Sequence, residues 1–180
     1  MDKNKKALWR EAIKWPLYSV AIMPIFISAA YNLYQYNKFL ISYFFGFAIA
    51  SILILFWENL TNDLYDSETG IDEFKFHSVV NLVDNKRLIS VIAHSALIIG
   101  LLIIFIISIS VNIKIILLII ACCFLGYLYQ GPPFRLGYQG LGEILCWTAF
   151  GPFAFSASLL ALNPLSNNLS KIPWKESILL

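Results

Sequence analysis

Residues 88–111 read LISVIAHSALIIGLLIIFIISISV, a run of 24 residues without a single Asp, Glu, Lys or Arg. A helix needs about 20 mostly apolar residues to cross the hydrocarbon core of a bilayer. The surface helix of a soluble domain, by contrast, carries a polar face. The stretch therefore predicts a transmembrane helix.

Four further apolar runs flank this one, each bounded by polar residues or by Pro and Gly. Together they predict five spans, near residues 15–31, 39–57, 88–111, 113–129 and 141–162. Gly151-Pro152 should kink the last span, and residues 172–180 have the pattern of the start of a sixth helix. We predict an all-α fold, a polytopic transmembrane helix bundle forming a single domain over residues 1–180. We also expect this sequence to be the front part of a longer protein.

The composition agrees with a membrane protein. The chain is 59% hydrophobic and 13% charged, with a mean hydropathy of +0.72, whereas soluble domains are about 25% charged. A soluble globule is therefore excluded. The net charge of +2 and the lack of a basic helix or an aromatic–basic motif also exclude nucleic-acid binding.

The basic residues predict the orientation. If successive spans cross the membrane in opposite directions, the N-terminus, residues 58–87 and residues 130–140 lie on one side of it. Nine of the 13 Lys and Arg residues fall on that side, and the positive-inside rule makes it cytoplasmic. The two polar segments therefore face one compartment and are expected to build one site.

The first of these segments continues the second span without a helix breaker. At 100° per residue, Asn59, Asn62, Asp63 and Asp66 share roughly a 100° arc of one helix. Carboxylates so close together repel unless a cation lies between them, and oxygen ligands favour a hard ion such as Mg²⁺. We call these four residues the acidic stripe. Because Mg²⁺ is commonly bound by one or two carboxylates plus substrate phosphates, the acidic stripe suggests that the substrate is a lipid diphosphate. The alternative is a solvated helix end.

The second segment, YLYQGPPFRLGYQGLGE at residues 127–143, is rich in Tyr, Gly and Pro. Its prolines and glycines favour a compact turn, its tyrosines can pack against a ring or donate a hydrogen bond, and Arg135 can bind phosphate oxygens. The alternative is membrane-interface anchoring, because Tyr is enriched there and Arg is expected on the cytoplasmic side.

These motifs together resemble the UbiA superfamily of intramembrane aromatic prenyltransferases, and most closely its menaquinone/phylloquinone branch. The resemblance covers nearly the whole chain. It rests on Asn62-Asp63-x-x-Asp66 with Gly70-x-Asp72, on Lys75-x-His77-Ser-Val-Val-Asn-Leu82, and on Tyr129-Gln-Gly-Pro-Pro-Phe-Arg135-Leu-Gly-Tyr138-Gln-Gly-Leu-Gly-Glu143.

The resemblance implies roles for individual residues. Asp63 and Asp66 would be catalytic, and together with Asn59 they would hold Mg²⁺ against a prenyl diphosphate. Substrate binding is implied for a wider set: Asn59, Asn62, Asp72, Lys75, Tyr129, Arg135 and Tyr138. The family also carries about nine helices and a second aspartate-rich motif on a later helix. These 180 residues contain no second motif of that kind.

The expected function is transfer of a phytyl chain from its diphosphate to a naphthoquinone-type ring bearing a carboxylate, in phylloquinone biosynthesis. Alternatives within the class are polyprenyl transfer in menaquinone biosynthesis and prenylation of homogentisate. An alternative from another class is a non-enzymatic membrane transporter or assembly protein. The expected location is a bacterial inner membrane or a thylakoid membrane, with the lipid bilayer around the bundle.

Overall fold

A computed structural model describes residues 3–69, 78–163 and Trp174. Within these residues the chain is helical and contains no strand. The elements, in chain order, are α1 (Lys3–Ile13), α2 (Leu17–Tyr36), α3 (Ile41–Thr69), α4 (Val79–Val83), α5 (Lys86–Val111), α6 (Lys114–Gln130), a 3₁₀ turn (Leu136–Gln139), α7 (Gly142–Thr148), a π-helical turn (Ala149–Phe153) and α8 (Ala154–Leu162).

Five apolar helical segments match the predicted spans. Four of them are long and apolar enough to cross a membrane, namely α2, α3, α5 and the continuous stretch Gly142–Leu162, while α6 is apolar with 17 residues. The π-helical turn contains Pro152, so the irregularity predicted in the last span is confirmed. Proline removes one helical hydrogen bond, and a π-bulge is one way to accommodate that loss.

The N-terminus differs from the prediction. Lys14 has a left-handed backbone (φ 51°) and, with the turn through Pro16, separates α1 from the first span. The first span, predicted near residues 15–31, is helix α2, which begins at Leu17 and continues to Tyr36. Helix α1 was not predicted, since hydropathy does not detect a short polar helix.

Helix α3 is a single helix of 29 residues that extends well beyond the apolar run. The prediction that the acidic stripe continues the second span is thus confirmed. Helix α3 packs most extensively against α5. Gly100, in α5, allows the two helices to approach closely. A Cβ at Gly100 would lie 3.0 Å from Ile54 Cγ1 and 3.1 Å from the Ala50 carbonyl oxygen. Small residues let membrane helices approach closely in this way.

The core lies among α2, α3, α5, α6 and α8 and includes Phe47, Ile104 and Leu160. Helix α8 is buried along Phe155–Leu162, and a polar contact joins it to α2. The Ser28 and Ser158 hydroxyls lie 2.6 Å apart. The opposite face of α5 exposes a continuous set of large apolar side chains, Ile98, Ile99, Leu102, Phe105, Ile106 and Ile109, as a lipid-facing surface requires.

We predict that Gly100→Val destabilises the protein, because the added methyl groups collide with the backbone of α3. Overpacking of this kind costs about 1–3 kcal/mol. The neighbouring Ile99→Val is the matched control, since Ile99 is 50% exposed on the apolar surface. Thermal unfolding in detergent should show a lowered midpoint for Gly100→Val alone. Equal midpoints would contradict the close packing of α3 on α5.

Candidate active site

Asp66 is the centre of a polar cluster at the end of α3. Its side chain is buried, with 2% exposure. Arg135, from the segment after α6, forms an ion pair with Asp66 and also donates to the Thr69 hydroxyl. The Tyr138 hydroxyl donates to Asp66 Oδ1 at 2.6 Å. The two segments that the sequence placed on one side of the membrane therefore meet at this carboxylate.

Arg135 and Tyr138 hold each other in place. The Arg135 guanidinium lies 4.6 Å from the centroid of the Tyr138 ring, a favourable cation–π distance. Burial, and then the hydrogen bond to Asp66, raise the pKa of Tyr138 above its ordinary value of 10.0. Tyr138 therefore remains a neutral donor at physiological pH. Arg135 has a left-handed backbone (φ 46°), which is uncommon for a non-glycine residue and occurs often at functional sites.

Asp63 is also buried, with 1% exposure, and is held by different elements. The backbone N–H of Val79, at the start of α4, donates to Asp63 Oδ2 at 2.9 Å. Lys14 Nζ lies 3.5 Å from Asp63 Oδ1. The sequence indicated that the acidic stripe needs cations beside it, and the structure supplies Lys14 for Asp63 and Arg135 for Asp66.

The same helix face offers oxygen atoms suited to a hard metal ion. Asn59 donates to the Ala12 carbonyl at 3.2 Å, while its buried Oδ1 has no hydrogen-bond donor within the described residues. Asn59, Asp63 and Asp66 thus present one amide and two carboxylate groups, a donor set that Mg²⁺ accepts. In residues 3–69 and 78–163, no three His, Cys, Asp or Glu side chains lie close enough to hold a metal by themselves. A metal here would need phosphate or water ligands as well.

Glycines in the tyrosine-rich segment make room for aromatic rings. A Cβ at Gly137 or at Gly142 would lie 2.9 Å from the Tyr129 ring, and one at Gly131 would lie 2.5 Å from the Tyr127 ring. Real side chains do not approach so closely. The spacing of these glycines therefore fixes where the two tyrosines lie.

A buried hydrogen bond attaches this segment to α3. Gln130 Nε2 donates to Thr61 Oγ1 at 2.6 Å, and the Thr61 hydroxyl donates in turn to the Trp57 carbonyl. Buried polar groups of this kind fix the relative positions of helices. The bond places the last residue of α6 beside the acidic stripe.

An apolar pocket lies deeper in the bundle, between α2, α3, α6 and the last span. Aromatic residues Trp57, Tyr129 and Phe150 line it, together with Leu55 and Ile119. One acidic residue, Glu58, also lines it. Such a pocket suits an apolar or aromatic ligand.

The structure adds three residues to the predicted set. Lys14 contacts Asp63 of the stripe, Gln130 donates to Thr61 on the same helix, and Glu58 lies in the pocket. Sequence reasoning counted Lys14 only toward charge, because its contact with Asp63 spans 49 residues. Asp72 and Lys75, which the resemblance implicated, lie outside the described residues.

Comparisons with known proteins identify the family of this chain. The sequence profile of the UbiA prenyltransferase family matches residues 21–178. The chain is 42% identical, over 97% of its length, to 2-carboxy-1,4-naphthoquinone phytyltransferase, chloroplastic, from Arabidopsis thaliana. It is 44% identical, over 85% of its length, to 2-carboxy-1,4-naphthoquinone phytyltransferase from Synechocystis sp..

The chain spans about half the length of these curated relatives, 45% of the first and 50% of the second. No solved structure matches it. The family match covers most of the chain and includes α3, α5, α6 and the last span. The chain therefore belongs to the UbiA prenyltransferase family and is an integral membrane protein with several apolar spans.

Proposed function

We propose that this chain is part of an enzyme that transfers a phytyl group from phytyl diphosphate to a carboxylated naphthoquinone or naphthoate ring, in phylloquinone biosynthesis. The observation that carries the proposal is the position of Asp63 and Asp66. Both are buried beside cations, at the end of a helix that also lines an apolar pocket. The names of the two relatives support the choice of substrates.

The polar cluster suits the diphosphate of the donor. Asn59, Asp63 and Asp66 would hold Mg²⁺, which when bound neutralises phosphate charge and acts as a Lewis acid. Arg135 is a planar guanidinium whose donors match phosphate oxygens. Its contact with Asp66 places the guanidinium beside the carboxylate at which a metal-bound diphosphate would lie.

Electrostatics would favour departure of the diphosphate. Negative charge grows on its bridging oxygen as the allylic C–O bond breaks. Preorganised donors aimed at such developing charge lower the barrier. Tyr138 supplies a neutral hydroxyl, while Arg135 and Lys14 supply fixed positive charge. Lys75, outside the described residues, is proposed to assist in the same way.

The apolar pocket would protect the reacting carbon. Leu55, Ile119 and the aromatic side chains give the pocket apolar walls, and such surroundings would limit hydrolysis of the electrophile. The ring carbon that bears the carboxylate forms the new bond to C1 of the phytyl group, and the C1–O bond breaks as diphosphate leaves with the electron pair. The bond between the ring carbon and the carboxylate carbon then breaks, CO₂ leaves, and the two electrons of that bond return to the ring.

The first prediction concerns the carboxylates. In the protein expressed from its complete gene, Asp63→Asn and Asp66→Asn should each lower turnover by several powers of ten. A carboxylate that faces a metal–diphosphate contributes mainly in the transition state. The measurement is product formation from radiolabelled phytyl diphosphate and 1,4-dihydroxy-2-naphthoate, with Mg²⁺ varied.

Asp84→Asn is the matched control for this experiment. Asp84 is exposed and has a left-handed backbone (φ 52°) at the end of α4, a conformation that Asn accepts readily. It should retain full activity. A wild-type rate in Asp63→Asn or Asp66→Asn would show that the stripe does not serve catalysis.

A second prediction concerns orientation. We propose that the N-terminus and the polar cluster face the cytoplasmic side of a bacterial inner or thylakoid membrane, because nine of the 13 basic residues belong to that side. After Cys122, Cys123 and Cys146 are changed to Ala, new cysteines at Glu68 and Gln139 should react with an impermeant thiol reagent from the cytoplasmic side only.

Lys38, in the turn between α2 and α3, is the control for this labelling, because it is exposed at the other end of both helices. A cysteine there should react from the opposite side only. Labelling of Glu68 and Gln139 from different sides would contradict a shared site.

A third prediction concerns the ligands that the diphosphate needs. Metal ions that bridge a diphosphate require ligands on both sides of it, and the Asp63/Asp66 stripe lies on one side. Residues 1–180 expressed alone should therefore insert into membranes but form no product, even with saturating Mg²⁺. Prenylated product above the level of Asp63→Asn would show that this part suffices.

A further inference from the structure

A polar groove lies between α3 and α5, at the end of the bundle that carries the acidic stripe. Two cations, Lys86 and Arg87, line it where α5 begins, and Glu68 lines it from α3. All three side chains are exposed, so the groove is open to whatever surrounds the bundle. The reaction proposed above gives these residues no part.

The groove lies on the far side of α3 from the acidic stripe. Leu64 and Glu68 line the groove, and each lies two residues from Asp66. At 100° per residue, that spacing turns both side chains about 160° away from Asp66. A ligand in the groove would therefore contact the back of the helix whose front carries the carboxylates. The groove and the polar cluster are distinct sites.

Hydrogen-bonding side chains continue down the groove along α5. Lys86, Ser90 and His94 line it and are spaced by four residues, so they lie one above another on one helix face. His94 Nδ1 donates to the Ser90 carbonyl at 2.8 Å, which orients the ring. Lys86 Nζ lies 3.5 Å from the Ser67 carbonyl oxygen of α3. The groove therefore begins with cations at the membrane surface and continues with smaller polar groups into the span.

An exposed apolar strip extends the groove farther along α5. Arg87, Val91, Ile98 and Phe105 are spaced by four, seven and seven residues, so they fall within about 40° of one line along the helix. The side chains of Val91, Ile98 and Phe105 are 56%, 57% and 47% exposed. From Arg87 to Ile98 the helix rises about 17 Å, close to half of the hydrocarbon core of a bilayer, about 15 Å. A cationic groove above an apolar strip of this length matches one phospholipid in one leaflet.

The charges of the groove indicate which phospholipid it fits. Among its Lys, Arg, Asp and Glu residues, Lys86 and Arg87 oppose Glu68 alone, which leaves one positive charge in excess. A lipid with one negative charge, on its phosphodiester, complements that excess. Basic pockets between transmembrane helices bind anionic head groups, and a guanidinium matches phosphate oxygens. A choline head group, by contrast, would bring a further cation beside the two already there.

We propose that this groove binds an anionic phospholipid. Its phosphodiester lies between Lys86 and Arg87, and the hydroxyls of a glycerol head group donate to Glu68. The Ser90 hydroxyl, one turn below Lys86, lies at the level of the ester oxygens, and an acyl chain follows Val91 and the strip below it. The lipid is a bound ligand that contacts both α3 and α5, and the inference does not depend on prenyl transfer.

Lipid titration followed by native mass spectrometry tests the proposal. The protein expressed from its complete gene is delipidated in detergent and titrated with phosphatidylglycerol or with phosphatidylcholine of the same acyl chains. Wild type should bind phosphatidylglycerol about tenfold more tightly. The double variant Lys86→Ala/Arg87→Ala should weaken binding of phosphatidylglycerol by about 10- to 30-fold and leave phosphatidylcholine unchanged.

The matched control is Arg10→Ala/Lys38→Ala. It removes the same charge from two exposed residues outside the groove, so it should bind phosphatidylglycerol as wild type does. An equal loss in this control would show that the total charge of the protein, and not the groove, attracts the lipid, and the proposal would fail.

A second pair of variants tests the shape of the groove with both cations in place. Ser90→Trp fills the groove and should weaken binding of phosphatidylglycerol. Ser95→Trp is its control, because Ser95 is exposed on the same helix outside the groove, and it should bind as wild type does. Glycerophosphoglycerol, the same head group without acyl chains, should not displace the lipid, because burial of the chains contributes to binding.

Three results would overturn the proposal. They are equal affinity of wild type for the two lipids, wild-type affinity of Lys86→Ala/Arg87→Ala for phosphatidylglycerol, and displacement of the lipid by an equal concentration of glycerophosphoglycerol, which would indicate a site for free phosphodiesters. A thermal unfolding transition shows whether each variant is folded. Where Lys86→Ala/Arg87→Ala does not fold, the difference between Ser90→Trp and Ser95→Trp decides, and equal affinity of those two variants overturns the proposal.

Discussion

Two buried carboxylates at the end of one helix impose most of the structure around them. Asp63 and Asp66 lie on adjacent turns of α3, and an unpaired charge at this burial costs several kcal/mol. Their partners come from different parts of the chain: Lys14 after α1, the Val79 N–H of α4, and Arg135 with Tyr138 after α6. Pairing the acids therefore assembles the polar end of the bundle.

Close backbone approaches support that assembly. Gly100 brings α5 against α3, while Gly137 and Gly142 enclose the Tyr129 ring. Each glycine acts by leaving space for a particular neighbour, so the effect belongs to the packing and not to local flexibility. The tyrosine-rich segment is held by this packing together with the Gln130–Thr61 hydrogen bond, which explains how a short non-helical segment can position Arg135.

Sequence reasoning succeeded where the physical signal is local. Apolar runs predicted the five helical segments, and the 100° repeat placed Asn59, Asp63 and Asp66 on one face of a helix that the structure shows as continuous. It did not detect α1, because that helix is short and polar. It also missed the contact between Lys14 and Asp63 and the packing of Glu58 on Gly126. Both contacts join residues far apart in sequence, and neither hydropathy nor periodicity carries such information.

The order of groups along α3 follows from what each depth in the membrane can supply. Asp66 and Asp63 lie where Arg135 and Lys14 form ion pairs with them, and carboxylate oxygens in such a place suit a metal ion. Glu58 lies about 12 Å before Asp66 along the helix, in a pocket whose described lining holds no Lys or Arg. Helix α3 therefore runs from an apolar pocket to a polar end where cations meet its carboxylates. Because α3 is one continuous helix, the relative position of pocket and polar cluster is fixed by helix geometry alone.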